Sequence, residues 1–194
     1  MSRPTVRIAA AAAGLALVAT AASATAASAT PASGNAVIRE SNTFFQQAAE
    51  AGIVAVPLPT ATAGYDATTG LSASFPVTDG HGSLPEFYGN VQLGGGLLLV
   101  NAKTGYAASF HQLAFSIDSW QLTAVPDGST TPVALFDPAG DNTVTRSGTT
   151  QSLNAASLVL DADGAQYLDT KLHTGFFTAG QSVGSFAVTF TPAS

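Results

Sequence analysis

The stretch Gly89-Asn90-Val91-Gln92-Leu93-Gly94-Gly95-Gly96-Leu97-Leu98-Leu99-Val100 constrains the fold more than any other part of the chain. Two apolar, strand-like runs meet at three consecutive glycines. Glycine at such a place supplies backbone freedom or removes a side chain where another backbone passes close. The stretch therefore reads as the middle of an antiparallel sheet, either bent within one long strand or folded as a tight hairpin.

Strand patterns surround it. Leu71, Ala73, Phe75 and Val77 alternate with Ser72, Ser74 and Thr78, and Thr78 to Ser83 reads as a loop. Leu113, Phe115 and Ile117 share one face, followed by Trp120, Leu122 and Ala124, then Val133 to Phe136, Leu158 to Leu160, and Phe186, Val188 and Phe190. Turn residues fall every ten or so positions, the spacing of a sandwich or barrel. Pro57 and Pro59 confine Ile53 to Pro59 to a sheet edge. Two short helices are expected. One is capped by Ser41 or Asn42 and stopped at Gly52; the other is capped by Asp161 and stopped at Gly175. Residues 137–154 carry few apolar side chains and read as the one long, mobile loop. The expected fold is mostly β, a meander-rich antiparallel β-sandwich with two short helices.

Arg3 and Arg7 precede an apolar run from Ile8 to Val18, and Ala27-Ser28-Ala29 is a small-residue cleavage site. Residues 1–29 thus read as an export signal, residues 30–40 as a flexible linker, and residues 41–194 as a single domain. With the leader removed, four basic residues (Arg39, Lys103, Arg146 and Lys171) face 12 acidic ones. Such a surface does not neutralise phosphates, which argues against a nucleic-acid partner or an anionic membrane. There is no cysteine, so the core and the sheet ladder must stabilise the fold in an oxidising compartment. Usage rich in Ala, Gly and Thr matches exported actinobacterial proteins. Secretion is expected, with no membrane span once the signal is cleaved.

Candidate chemistry is sparse. Asp79, His81, Glu86 and Tyr88 fall within ten residues of one another, and His111 shares the parity of Leu113 and Phe115, so that its ring points toward the core. His81, Tyr88 and His111 are the candidate ligand-binding residues; no catalytic or metal site is assigned. His173 suits the C-terminal end of the second helix electrostatically. Gly180-Gln181-Ser182-Val183-Gly184 matches the string of a nucleophile elbow. It lacks the strand-then-helix context that thrusts such a serine outward, and no His, Asp or Glu follows it.

Phe75-Pro76-Val77-Thr78-Asp79-Gly80, Gly94-Gly95-Gly96-Leu97, Phe115-Ser116-Ile117-Asp118, Leu122-Thr123-Ala124 and Phe177-Thr178-Ala179-Gly180-Gln181-Ser182-Val183-Gly184 together resemble an actinobacterial secreted family related to the HtaA-type domains of haem uptake. The resemblance implies a β-sandwich with two short helices and, in haem-binding members, a haem held by a tyrosine near the N-terminal helix and a histidine. This chain departs from that pattern: the helix carries Phe44 and Phe45, and Leu93 precedes the glycines where relatives place a histidine. The expectation is a secreted, non-catalytic binding or structural module of the envelope or extracellular space, without a cofactor and with an envelope or extracellular partner. The alternative is an HtaA-like protein binding haem or another small ligand.

Overall fold

The computed structural model describes residues 30–66 and 70–193; the expected leader lies outside them. In chain order the elements are β1 (Ser33–Glu40), α1 (Asn42–Ala51), β2 (Ile53–Leu58), β3 (Thr62–Asp66), β4 (Gly70–Ser83), β5 (Tyr88–Leu93) and β6 (Gly96–Asn101). They continue as β7 (Ala107–Ser116), β8 (Gln121–Pro126), β9 (Val133–Ser147), β10 (Thr150–Leu160), α2 (Ala162–Leu172) and β11 (Ser182–Thr191).

The ladder β7-β5-β4-β1-β11-β10-β9-β8 closes on itself because β8 pairs back onto β7, giving an eight-stranded antiparallel barrel rather than the expected sandwich. Period-2 alternation is common to both architectures, so the pattern could not separate them. What permits closure is β7. It serves two neighbours on one edge and β8 on the other, and a bulge between His111 and Ala114, with Gln112 at φ 49°, lets it bend between them.

The triple glycine is a bend and not a hairpin, since β5 and β6 never pair with each other. Both lie along β7, with Leu93 opposite Leu113 and Leu97 opposite Phe110. At the bend the strand leaves the barrel and takes β2 as its new neighbour. A side chain on Gly95, which sits at φ 90°, would meet Ala61 N at 2.6 Å, and one on Gly96 would strike the Phe110 carbonyl. Close backbone passage is the reason for glycine here.

Three further expectations are corrected. The linker of residues 30–40 is structured from Ser33 onward: β1 runs in the barrel wall between β4 and β11. Its alternation, with Ala36 buried, hides behind small residues. Thr78 to Ser83 is the second half of β4, continuing past a bulge after Val77 to pair with β5. The supposed mobile loop 137–154 is the long β9–β10 hairpin, turning at Gly148-Thr149. Thr143, Val144 and Thr145 favour strand through β-branching, and the backbone ladder forms whether or not the side chains are apolar.

The helices start where their caps predict. The Ser41 hydroxyl accepts from Phe44 N at 3.1 Å, Gly52 closes α1 in the left-handed conformation, and Asp161 accepts from Asp163 N at 2.7 Å. For α2 the stop is His173, itself left-handed, and not Gly175. α2 buries Ala165, Leu168 and Leu172 against the barrel, and Phe44 of α1 packs on Phe176. Phe75, Phe110, Phe115, Phe186 and Phe190 are fully buried in the core.

Candidate functional site

Where the strand forks at the glycines, a cavity of about 140 Å³ lies between the diverging parts. β2 and β6 contribute Ala55, Pro57, Leu97 and Leu99; β1, α1 and β4 contribute Ile38, Glu40, Phe44, Leu71, Ser72, Ala73 and Phe75. Its floor is Phe136, Leu160, Leu168, Phe177 and Val183. Ala55 and Ala63 are solvent-exposed and mark the mouth, between β2 and β3. An eight-stranded barrel has an interior just wide enough to be filled by side chains or to hold one small ligand, and here the filling stops short beside the fork.

Among the described lining residues, Glu40 and Ser72 are the polar side chains. Glu40 shares the inward parity of Ala36 and Ile38 on β1, and burial pushes its carboxyl above the ordinary value of 4.5. The signal that would have found it is this parity, invisible while residues 30–40 were read as a linker.

The three sequence-derived candidates do not form one site: His81 and Tyr88 stand at diagonal positions on one exposed face of the β4–β5 pair, and His111 lies apart from them. His81 is exposed on β4 opposite Asn90, and Tyr88 is exposed opposite Ser83. Asn90 in turn stands opposite Ser116, five residues along β7 from His111, roughly 17 Å of strand. His111 does not share the face of Leu113 and Phe115, because the bulge at Gln112 shifts the parity between them. Instead its Nδ1 pairs with Asp127 Oδ1 at 2.9 Å on the outside of the barrel. Hydrogen bonds from Ser109 and then His111 hold the Asp127 carboxyl below its usual range. None of the three lines the cavity. Asp79 is occupied locally, accepting from Gly80 N at 2.8 Å, and His173 stacks on Tyr106 with ring centroids 3.9 Å apart. Among the described residues no three His, Asp or Glu side chains are grouped to hold a metal ion.

The chain is thus a closed antiparallel barrel with a forked wall and an apolar cavity beside the fork. Comparison with solved structures shows that this is the fold of an HtaA-type domain. It matches the C-terminal domain of HtaA from Corynebacterium glutamicum at a TM-score of 0.55 and 17% identity, over 84% of this chain and 99% of that one. A domain-swapped dimer of a variant of the same domain matches at 0.52 and 16%, over 77% and 91%. The haem-binding protein HtaB from the same organism gives 0.46 and 15%, over 84% and 94%. Comparison of the sequence with protein-family models and with curated proteins finds no match.

The haem that the resemblance implies can be tested against the residues present. Haem iron takes His, Tyr, Cys or Met as axial ligand. The described cavity lining offers none of these: α1 presents Phe44, and Leu93 is buried in the barrel wall. The residues do not fit axial ligation of haem in this cavity.

Proposed function

We propose that this chain is a non-catalytic binding domain built on the HtaA-type fold, exported from the cell, whose ligand is a small apolar molecule received in the cavity at the strand fork. The carrying observation is the cavity itself: about 140 Å³, walled by aliphatic and aromatic side chains, with a mouth at Ala55 and Ala63. Such concave apolar sites with few polar groups are the usual form of small-ligand sites. Export rests on the leader pattern of residues 1–29, and among the described residues no helix is long and apolar enough to cross a membrane.

Haem is the second reading, favoured by the likeness to the HtaA domain. Titration of the purified protein with haem and, separately, with toluene decides between them. Perturbation of the Leu97 and Leu99 amides by toluene, with no shifted Soret band at micromolar haem, is the expected result. A saturable, shifted Soret band with no response to toluene would replace the small-ligand reading with the haem one.

A further inference from the structure

The cavity also carries information about what kind of small molecule it takes, an inference that rests on the reading just given. Glu40 places a carboxyl in a cavity whose other lining, Ser72 apart, is apolar. Among the described residues no cation and no hydrogen-bond donor reaches that carboxyl, and burial is the one influence acting on its proton affinity. Its neighbour Arg39 points to the opposite face of β1 and is exposed. Glu40 is half-buried, and a carboxyl drawn partly out of water beside an apolar wall gains from a cation brought to it. None of the described residues supplies that cation, so a cationic ligand can.

We propose that the cavity binds a small primary amine, its apolar body of about one aromatic ring set among Phe44, Leu97 and Leu99 and its ammonium group on the Glu40 carboxylate. The size fits, since an engineered apolar cavity of about 150 Å³ holds benzene. An ammonium donates up to three hydrogen bonds and supplies the opposite charge that favours the ionised carboxyl. A neutral hydrocarbon of the same shape fills the space and leaves Glu40 alone. An aromatic acid would set two carboxyls against each other.

Benzylamine, toluene and benzoate are the probes, titrated into the purified protein and followed by the amide resonances of Leu97 and Leu99. Benzylamine should bind roughly ten- to a hundredfold more tightly than toluene, the range of a hydrogen bond to a charged group, and benzoate more weakly than either. Glu40→Gln should erase the preference while toluene still binds, which also shows that the variant is folded; Glu40→Ala is the second variant. A preference for benzylamine that survives both substitutions overturns the assignment of Glu40. Equal binding of benzylamine and toluene by the unaltered protein overturns the amine while the cavity reading stands. Silence from all three probes overturns both.

Discussion

Phe115 is fully buried, with the rings of Trp120 and Phe186 at 5.5 and 5.4 Å. Truncation to alanine leaves a cavity the barrel cannot collapse into, and Phe115→Ala should cost about 3–5 kcal/mol in denaturant melts. Trp120 was expected to share that face as part of a strand. It sits instead in the turn before β8 at φ 58°, half-buried against Phe115 and Phe87. Trp120→Ala should therefore cost clearly less than Phe115→Ala, and equal losses would place the indole back in the core. Gly95→Ala forces a Cβ onto Ala61 at positive φ, so a loss of about 1–3 kcal/mol is expected in denaturant melts. Single residues were legible in the sequence where one alternation governs a whole strand, as in Phe186, Val188 and Phe190. His111 was misplaced because a bulge leaves no mark in hydrophobic pattern, and Glu40 because its strand opens on Ser33, Gly34 and Asn35, which read as linker.

Two elements are tied together by one side chain. Gln151 of β10 is buried, accepts from Leu84 N at 2.7 Å and donates to the Gly82 carbonyl at 3.0 Å, fastening the turn after β4 across to the far wall. Gln151→Leu orphans both backbone groups and should lower stability by about 1–3 kcal/mol for each group left unsatisfied, as read in urea melts. Asn101 does the same between β6 and α2, donating to the Leu172 carbonyl at 3.0 Å. The β9–β10 hairpin invites a different measurement. Its ladder pairs Ser147 with Thr150 and runs unbroken to Asn142 and Ala155, so the inter-strand amides should be protected in hydrogen exchange. Rapid exchange throughout residues 141–147 would restore the loop expected from composition. Strands flanked by turns and dressed in apolar residues could be read directly, whereas polar strands could not, because the ladder is made by backbone and the sequence shows side chains.

For the molecule as a whole, burial gives a pH dependence with a definite sign. Glu40 and Asp137 both hold their protons above the ordinary carboxylate range, Glu40 through burial alone and Asp137 through burial and then the charge of Asp161. In the window between the unfolded value and each raised value the native state binds more protons than the unfolded one, so stability falls as pH rises through it. Glu40→Gln should flatten that fall in thermal melts as pH rises above the ordinary carboxylate range; an unchanged slope would assign it to Asp137. The exposed Asp127 acts in the opposite sense, its carboxyl favouring the fold as pH rises through its own lower range. That the barrel closes was beyond the reach of pattern, since the wall is completed only when β1 bridges β4 and β11, which lie about a hundred residues apart in the chain.

The barrel's seam has a mechanical meaning. β1 and β11 lie side by side in opposite directions, with Ser33 facing Thr191, so the two ends of the folded region emerge as neighbours at one rim. A load applied across those ends meets the hydrogen bonds of the seam one pair after another instead of all at once. The domain can hang by both ends from a single point on a larger assembly without being stretched. Under tension the pairs part in order from Ser33 and Thr191 at the rim, and Glu40, opposite Gly184, is the last of the seam to be reached.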